Sequence, residues 1–406
     1  MDTASNSHPP TEHDLHSLYI HIPFCKKRCS YCDFNTVAGQ EQKIPLYVEA
    51  LCSEIVKTMA TNHPPIHAHT IFFGGGTPTL LSASHIGQIL STIRQIFILQ
   101  PDMEITIEGN PGTVTEKQLS GLHTLGVNRL SFGVQSVHAH ELLMLGRIHT
   151  HQQTVQSIAL ARKAGFNNIN LDLIFGLPNQ TLSDWQDTVR TIIDLAPSHL
   201  SLYALKLEDG TPLTKLVDEA VLPEPDADLA ADMYEWAMDY LSLSGYAQYE
   251  ISNWALVDEK LNYQSVHNLQ YWRNLPYFGF GAGAHGLVNE SRLVNIYDPV
   301  QYIESCMHTS PVEFPLSPAT SEINPRSLND QMDEHMIMGL RLTDAGVSRS
   351  DFMRRYHTDF VTRYEKAIET LIHQGLLEWN SSGESIRLTN RGRLLGNQVF
   401  YQFLSD

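Results

Sequence analysis

Short β-rich runs alternate with helical runs through the first half of the chain, and this alternation limits the possible folds more than any other feature. The predicted strands cover 18–22, 70–74, 104–108, 129–133, 168–174 and 199–205, and the helical patterns between them cover 45–59, 82–97, 116–125, 154–164 and 182–195. Such alternation predicts a parallel sheet with right-handed crossovers. Six units are fewer than the eight of a closed barrel, so we expect an α/β fold with a partial (β/α)6, TIM-like barrel, open on one side to a large substrate.

The charge of the chain excludes several classes of partner. Its 406 residues include 27 Lys and Arg against 45 Asp and Glu, a net charge of −18. An acidic surface of this kind is unsuited to nucleic acid and to anionic lipid. No apolar run is long enough to span a bilayer, and the polar N-terminal residues do not resemble a secretion signal. We therefore expect a cytoplasmic protein with no nucleic-acid partner and no direct membrane insertion.

Three of the five cysteines, Cys25, Cys29 and Cys32, lie within eight residues. The three cationic residues between the first two do not suit a buried apolar loop, and an odd cysteine count without a secretion signal does not suit a disulfide framework. Metal ligation is therefore favoured. Structural zinc needs a fourth ligand, for which His21 is a candidate although it lies in a strand pattern. A [4Fe–4S] cluster held by three thiolates instead leaves one iron open to a small molecule.

The cysteine segment resembles a known family signature. Cys25-x3-Cys29-x2-Cys32 is similar to the CxxxCxxC motif of the radical S-adenosylmethionine (SAM) superfamily, and the preceding YIHIPF resembles its coproporphyrinogen-oxidase-like branch. The resemblance extends from about residue 18 to the C-terminus. It implies a [4Fe–4S] cluster held by the three cysteines, whose open iron binds the amino and carboxylate groups of SAM.

The ends of the predicted strands resemble the SAM site of that superfamily. Chemistry in such barrels is found at the carboxyl ends of the strands, where the loops converge. The GGGTP run at 74–78 lets backbone approach a ligand closely, although a glycine run alone is also typical of a tight turn. The resemblance implies these SAM-binding residues: Tyr19, Tyr31, Gly75, Gly76, Thr77, Glu108, Gln135, Arg147 and Asp172.

Two functions within this branch stay open. Oxygen-independent coproporphyrinogen III oxidases decarboxylate porphyrinogen propionates with SAM and carry CxxxCxxCxC, whereas this chain has Phe34 at the last position. They also carry an N-terminal lid, for which we expect the residues before Tyr19 to be too few. Heme chaperones of the HemW group carry CxxxCxxCDF and HNxxYW, as this chain does. The resemblance thus favours a chaperone that binds heme and delivers it to client proteins such as respiratory enzymes, which can be membrane-associated.

The HNxxYW motif corresponds here to His267, Tyr271 and Trp272. A histidine nitrogen can ligate heme iron, and two aromatic rings can cover a porphyrin face. We therefore assign the three residues to heme handling, without assigning the axial ligand. The alternative is that His267 is a hydrogen-bonded structural residue in an aromatic loop.

Composition divides the chain into four predicted parts. These are a flexible leader at 1–17, the barrel at 18–245, an aromatic and glycine-rich segment at 246–325, and a winged-helix-like domain at 326–406. From residue 330 onward there are nine Lys and Arg against eleven Asp and Glu, a net charge of −2. This balance does not suit DNA binding, so we expect a structural or partner-docking module.

Overall fold

Six parallel strands form the centre of the main sheet, and they confirm the predicted partial (β/α)6 barrel. The computed structural model describes residues 11–61 and 63–404. Neighbouring strands pair in chain order from first to sixth. They are β1 (Leu15–Ile22), β2 (His67–Gly75), β3 (Ile98–Gly109), β4 (Arg129–Gln135), β5 (Asn168–Phe175) and β6 (His199–Ala204).

Both edges of this barrel are extended by strands from residues 246–325. The added strands are β7 (Tyr246–Glu250), β8 (Asn253–Leu256), β9 (Tyr277–Phe280), β10 (His285–Val288), β11 (Ser291–Asn295) and β12 (Thr320–Pro325). The sheet has the order β12-β11-β10-β9-β1-β2-β3-β4-β5-β6-β8-β7. β9 pairs parallel with β1, and β8 pairs antiparallel with β6. An edge strand has unpaired N–H and C=O groups, which these additions satisfy.

The barrel begins earlier than the sequence pattern indicates. Of the predicted leader, residues 1–10 lie outside the described residues. A 3-10 turn covers Glu12–Asp14 and β1 starts at Leu15, so the last residues of the predicted leader belong to the sheet. Ser17 is fully buried and accepts a hydrogen bond from Thr70 Oγ1 at 2.6 Å. Polar residues hide this part of the strand from a hydrophobic pattern.

Helices alternate with the central strands, and neighbouring helices pack side by side. Thr150 and Thr181 begin two of them with reciprocal capping hydrogen bonds, which satisfy free N–H groups in the first turn. The helices up to residue 308 are α1 (Ile44–Thr58), α2 (Ala83–Ile96), α3 (Glu116–Thr124), α4 (Ala139–Met144), α5 (His151–Lys163), α6 (Leu182–Ile193), α7 (Pro212–Asp218), α8 (Ala227–Leu243), α9 (Val266–Trp272) and α10 (Pro299–His308).

The C-terminal residues follow the predicted order of helices, hairpin and helix, with a core of their own around Phe352 and Phe360. The hairpin of β14 and β15 lies beside β13. The elements are α11 (Leu328–Gly339), β13 (Val347–Ser348), α12 (Arg349–Tyr356), α13 (Phe360–Arg363), α14 (Glu365–His373), β14 (Leu377–Trp379), β15 (Ser385–Leu388), α15 (Asn390–Leu394) and α16 (Gly396–Phe400). Within the described parts of the chain, no helix has the length and apolar character needed to cross a membrane.

A buried carboxylate joins the barrel to the strands added beside β1. Glu54 of α1 is 0% exposed and accepts hydrogen bonds from Gly281 N at 2.9 Å, Asn295 Nδ2 at 2.6 Å and the Tyr302 hydroxyl at 2.5 Å. Gly281 precedes the hairpin of β10 and β11, Asn295 ends β11, and Tyr302 lies in α10, which follows the hairpin. One side chain therefore holds this hairpin against α1.

Replacement of Glu54 should destabilise the protein. Glu54→Ala leaves three buried donors without an acceptor, so we expect the free energy of unfolding to fall by about 3 kcal/mol. Glu49→Ala, an exposed change on the same helix, is the matched control and should have little effect. Urea unfolding followed by circular dichroism measures both midpoints, and equal midpoints would contradict this role for Glu54.

Candidate functional site

The three clustered cysteines lie in the loop that follows β1. A short strand, Phe24–Cys25, pairs with Val37–Ala38 and gives the loop a fixed base. All three thiols are partly buried. Burial raises the pKa of Cys25 to about 11 and also raises that of Cys32. Metal ligation reverses this preference, because a coordinating thiol loses its proton.

The arrangement of donors favours a cluster over a single ion. Among the described residues, no three His, Cys, Asp or Glu side chains are arranged to hold one metal ion. His21, the candidate fourth zinc ligand, has both ring nitrogens occupied: Nδ1 by the Tyr19 hydroxyl at 3.0 Å and Nε2 by the Asn35 carbonyl at 2.8 Å. In a [4Fe–4S] cluster each thiolate binds a different iron, so three separated thiols around one cavity suit it.

The glycine run at the end of β2 packs directly on the cysteine loop. Gly76 N donates to the Ile22 carbonyl at 2.8 Å, and Thr77 N donates to the Phe24 carbonyl at 2.9 Å. A Cβ on Gly76 would lie 2.6 Å from the Phe24 carbonyl oxygen. Gly75 has φ +112°, a conformation that side chains rarely adopt. Glycine here therefore serves close backbone packing as well as ligand access.

Two half-buried carboxyl groups face the cavity from β3 and β5. Glu108 accepts a hydrogen bond from Gly75 N at 3.1 Å, and Asp172 accepts from Asn170 Nδ2 at 2.7 Å and Ser131 Oγ at 3.2 Å. Burial, followed by the charge of Asp172, raises the pKa of Glu108 to about 8. Burial also raises the pKa of Asp172. A bound cation would stabilise the ionised form of both groups.

Arg147 follows α4 and points its guanidinium at the cysteine loop. Nη1 donates to Cys29 Sγ at 3.4 Å, while Nη2 donates to Asn110 Oδ1 at 2.5 Å and to the Gly133 carbonyl. Asn110 in turn donates to Thr77 Oγ1 at 2.9 Å, and Thr77 Oγ1 lies 3.8 Å from Cys25 Sγ. Sequence reasoning missed Asn110, although its place just after Glu108 at a strand end was a usable signal.

One cavity of about 120 Å³ brings most of the predicted cluster and SAM residues together. The side chain of Gln135 ends there with its buried Oε1 lacking a partner in the described part of the chain. Thr77 does not line this cavity, but its Oγ1 lies 3.8 Å from the Sγ of Cys25, which does. Tyr19 lines a neighbouring cavity. The predicted residues that line the first cavity are Cys25, Cys29, Cys32, Tyr31, Gly75, Gly76, Glu108, Gln135, Arg147 and Asp172.

Two larger cavities adjoin this one. One, of about 300 Å³, shares Tyr31, Glu108 and Asp172 with it, and the other, of about 490 Å³, shares Gly75 and Glu108. Phe34 lines all three and is 63% exposed. The residue at the position of the oxidases' additional cysteine therefore lies where the cavities meet.

One part of the HNxxYW motif lies in the protein interior, and the other part lines the largest of these three cavities. Tyr271 and Trp272 line that cavity. His267 is buried, with Nδ1 hydrogen-bonded to Thr70 Oγ1 and Nε2 to the Tyr271 hydroxyl, both at 2.8 Å. Burial lowers the pKa of His267 to about 3. Neither nitrogen is available to a heme iron in this conformation. In the structure His267 is therefore a hydrogen-bonded structural residue, which is the alternative that the sequence left open.

Comparison with known proteins decides the family. Residues 19–192 match the model of the radical SAM superfamily, and residues 327–395 match that of the HemN C-terminal domain. Heme chaperone HemW of Bacillus subtilis is 39% identical over 393 residues, which cover 97% of this chain and 100% of that protein. The chain belongs to the HemW family of radical SAM proteins. Heme chaperone HemW of Lactococcus lactis is 36% identical and covers 96% of the chain.

A solved structure supports the same grouping. The coproporphyrinogen III oxidase HemN of Escherichia coli, a radical SAM enzyme, matches with a TM-score of 0.80 and 25% identity, over 97% of this HemW-family chain and 90% of that one. Radical SAM membership makes a [4Fe–4S] cluster and SAM the cofactors of the chain. The site fits both: three thiols suit iron, and two half-buried carboxyl groups suit a ligand that carries an ammonium and a sulfonium.

The cysteine assignment predicts a specific pattern of cluster loss. Anaerobic reconstitution of the wild-type chain should give about four iron and four sulfide per chain. Cys25→Ala, Cys29→Ala and Cys32→Ala should each abolish the cluster, because each removes one of the three thiolates. Cys52→Ala and Cys306→Ala are the matched controls, since neither residue lines the cavity. Iron analysis measures the result, and cluster loss in either control would refute the assignment.

SAM affinity should rise with pH through ionisation of Glu108. With a pKa of about 8, the carboxyl is largely protonated at about pH 6 and largely ionised at about pH 9. The ionised carboxylate attracts a cation, whereas the protonated group does not. Glu108→Gln should reduce this rise, whereas exposed Glu116→Gln should keep it. Calorimetric titration of cluster-loaded protein measures all three, and SAM's own ionisations cancel in the comparison. Parallel pH profiles for wild type and Glu108→Gln would contradict the placement.

Proposed function

We propose that this chain is a heme chaperone, which binds heme beside its SAM site and delivers it to client proteins. The observation that carries the proposal is the similarity to Heme chaperone HemW of Bacillus subtilis at 39% identity, which covers that protein completely. Similarity over a whole chain includes the ligand-binding loops as well as the barrel. It therefore supports a shared activity better than a match to the barrel alone.

The site supports the proposal through its largest cavity. Its volume of about 490 Å³ falls within the range of small-molecule and cofactor sites. Its aromatic lining includes Tyr271 and Trp272 of the motif that the sequence assigns to heme handling. Flat aromatic rings offer a porphyrin face a large contact area at low entropic cost.

The proposed roles of the cluster and SAM residues follow from their contacts. Cys25, Cys29 and Cys32 would hold the cluster, which when bound supplies the electron for reductive cleavage of SAM. Glu108 and Asp172 would balance the positive charge of SAM in a partly buried cavity, where charges interact more strongly than in bulk water. The remaining residues of the proposed SAM set would orient it: Tyr19, Tyr31, Gly75, Gly76, Thr77, Gln135 and Arg147.

Coproporphyrinogen III oxidase activity is the second candidate. The TM-score of 0.80 with HemN of Escherichia coli favours it. The cysteine loop favours the chaperone, because Phe34 replaces the additional cysteine of the oxidase pattern and its exposed ring borders all three cavities. Delivery to membrane-associated clients and a cytoplasmic location stay predictions from the sequence.

Heme binding without porphyrinogen turnover would separate the two functions. We expect cluster-loaded protein to bind heme stoichiometrically and to form no protoporphyrinogen IX from coproporphyrinogen III with SAM and a reductant. Heme titration and chromatographic product analysis measure the two activities. A known oxidase assayed in parallel shows that the conditions support turnover. Steady product formation by this chain would favour the oxidase.

A further inference from the structure

The largest cavity is bounded on one side by the hairpin of β10 and β11. Residues on one face of antiparallel strands lie opposite each other in register or two apart along a strand. Leu287 pairs with Arg292 across the hairpin and with Tyr277 of β9, while His285 lies two residues before Leu287. These four side chains share a face, and all four line the cavity. The hairpin therefore presents an imidazole, a guanidinium and apolar surface to the same space.

His285 differs from the other histidine that lines this cavity. His21 has both ring nitrogens hydrogen-bonded within the protein, as does His267 behind the cavity wall. The Nδ1 of His285 has no hydrogen-bond partner among residues 11–61 and 63–404, and its Nε2 has one long contact of 3.3 Å with the exposed Tyr297 hydroxyl. Its side chain is exposed to the cavity and to solvent.

We propose that heme binds in this cavity with the His285 imidazole as its iron ligand, an inference that rests on the proposed function. A nitrogen lone pair of the neutral ring forms the coordinate bond, and no proton or electron is transferred. Partial burial, followed by the charge of Arg292, lowers the pKa of His285, so its ring is neutral at neutral pH. Tyr271 and Trp272 then contact the porphyrin, and His267 is a positioning residue that holds the Tyr271 hydroxyl.

Arg292 supplies the charge that heme propionates need in an acidic chain. Its Nε donates a hydrogen bond to Glu334 Oε1 at 3.2 Å, and Nη2 forms an ion pair with Glu334 Oε2 at 3.0 Å, while Nη1 has no partner in the described residues. Glu334 is also paired with Arg326 at 2.6 Å. If Arg292 turns toward a propionate, Glu334 therefore keeps a cationic partner. Guanidinium binds carboxylate through two parallel hydrogen bonds, which fixes orientation as well as charge.

Heme titration of the cluster-loaded full chain tests the ligand. His285→Ala should raise the dissociation constant about tenfold or more and change the Soret magnetic circular dichroism, and added imidazole should restore the signature. His308→Ala, an exposed histidine at the end of α10, is the matched control and should leave both unchanged. His267→Gln should weaken binding but keep the wild-type signature. Iron content and far-ultraviolet circular dichroism verify that each variant folds.

Arg292→Gln tests the propionate contact independently. It should weaken heme binding about tenfold while leaving the affinity for heme dimethyl ester, which lacks the propionate charges, close to that of the wild type. An equal loss for both ligands would overturn the role of Arg292.

The outcomes separate this inference from the proposed function. Wild-type protein that binds no heme would overturn the chaperone proposal and the ligand with it. Wild-type protein that binds heme, with His285→Ala unchanged in affinity and signature, would overturn the ligand alone. Loss of the signature in His267→Gln together with its retention in His285→Ala would assign the iron to His267.

Discussion

The contact between the glycine run of β2 and the cysteine loop is the constraint on which the site depends. Two backbone hydrogen bonds, from Gly76 to Ile22 and from Thr77 to Phe24, hold the loops together with no side chain between them. A Cβ atom on Gly76 would not fit, because it would lie 2.6 Å from the Phe24 carbonyl oxygen. The barrel strands, which are hydrogen-bonded to a neighbouring strand on each side, therefore fix the position of the cysteines. A flexible loop could not place three thiols reproducibly.

Two half-buried carboxyl groups, those of Glu108 and Asp172, dominate the electrostatics of the site. Glu108 and Asp172 lie in a region where desolvation opposes their ionisation, and Arg147 is committed to the cysteine loop and Asn110. A cationic ligand bound beside these two carboxyl groups would stabilise their ionised forms. Preorganised groups of this kind strengthen ligand binding because the protein need not rearrange when the ligand arrives.

Much of this architecture follows from local patterns. Strand alternation predicts the barrel, because strands that alternate with helices pair in parallel. The resemblance to radical SAM proteins then identifies Glu108 and Asp172, at the ends of two strands, as site residues. The assignment of residues 246–325 to the same sheet could not be predicted, since short strands such as Tyr277–Phe280 find their partners only through tertiary contacts. His267 shows the same limit: a motif identifies the residue, but only its neighbours Thr70 and Tyr271 show that both nitrogens are occupied.

The shared wall of the cavities has a thermodynamic consequence. Gly75 and Glu108 border both the pocket proposed for SAM and the one proposed for heme. Any factor by which one ligand alters the affinity of the other must act equally in the reverse direction, because the two binding free energies form a closed cycle. If the nucleoside ligand weakens tetrapyrrole binding, the tetrapyrrole weakens nucleoside binding by the same factor, and the free concentration of each ligand relative to its dissociation constant sets which one the protein carries.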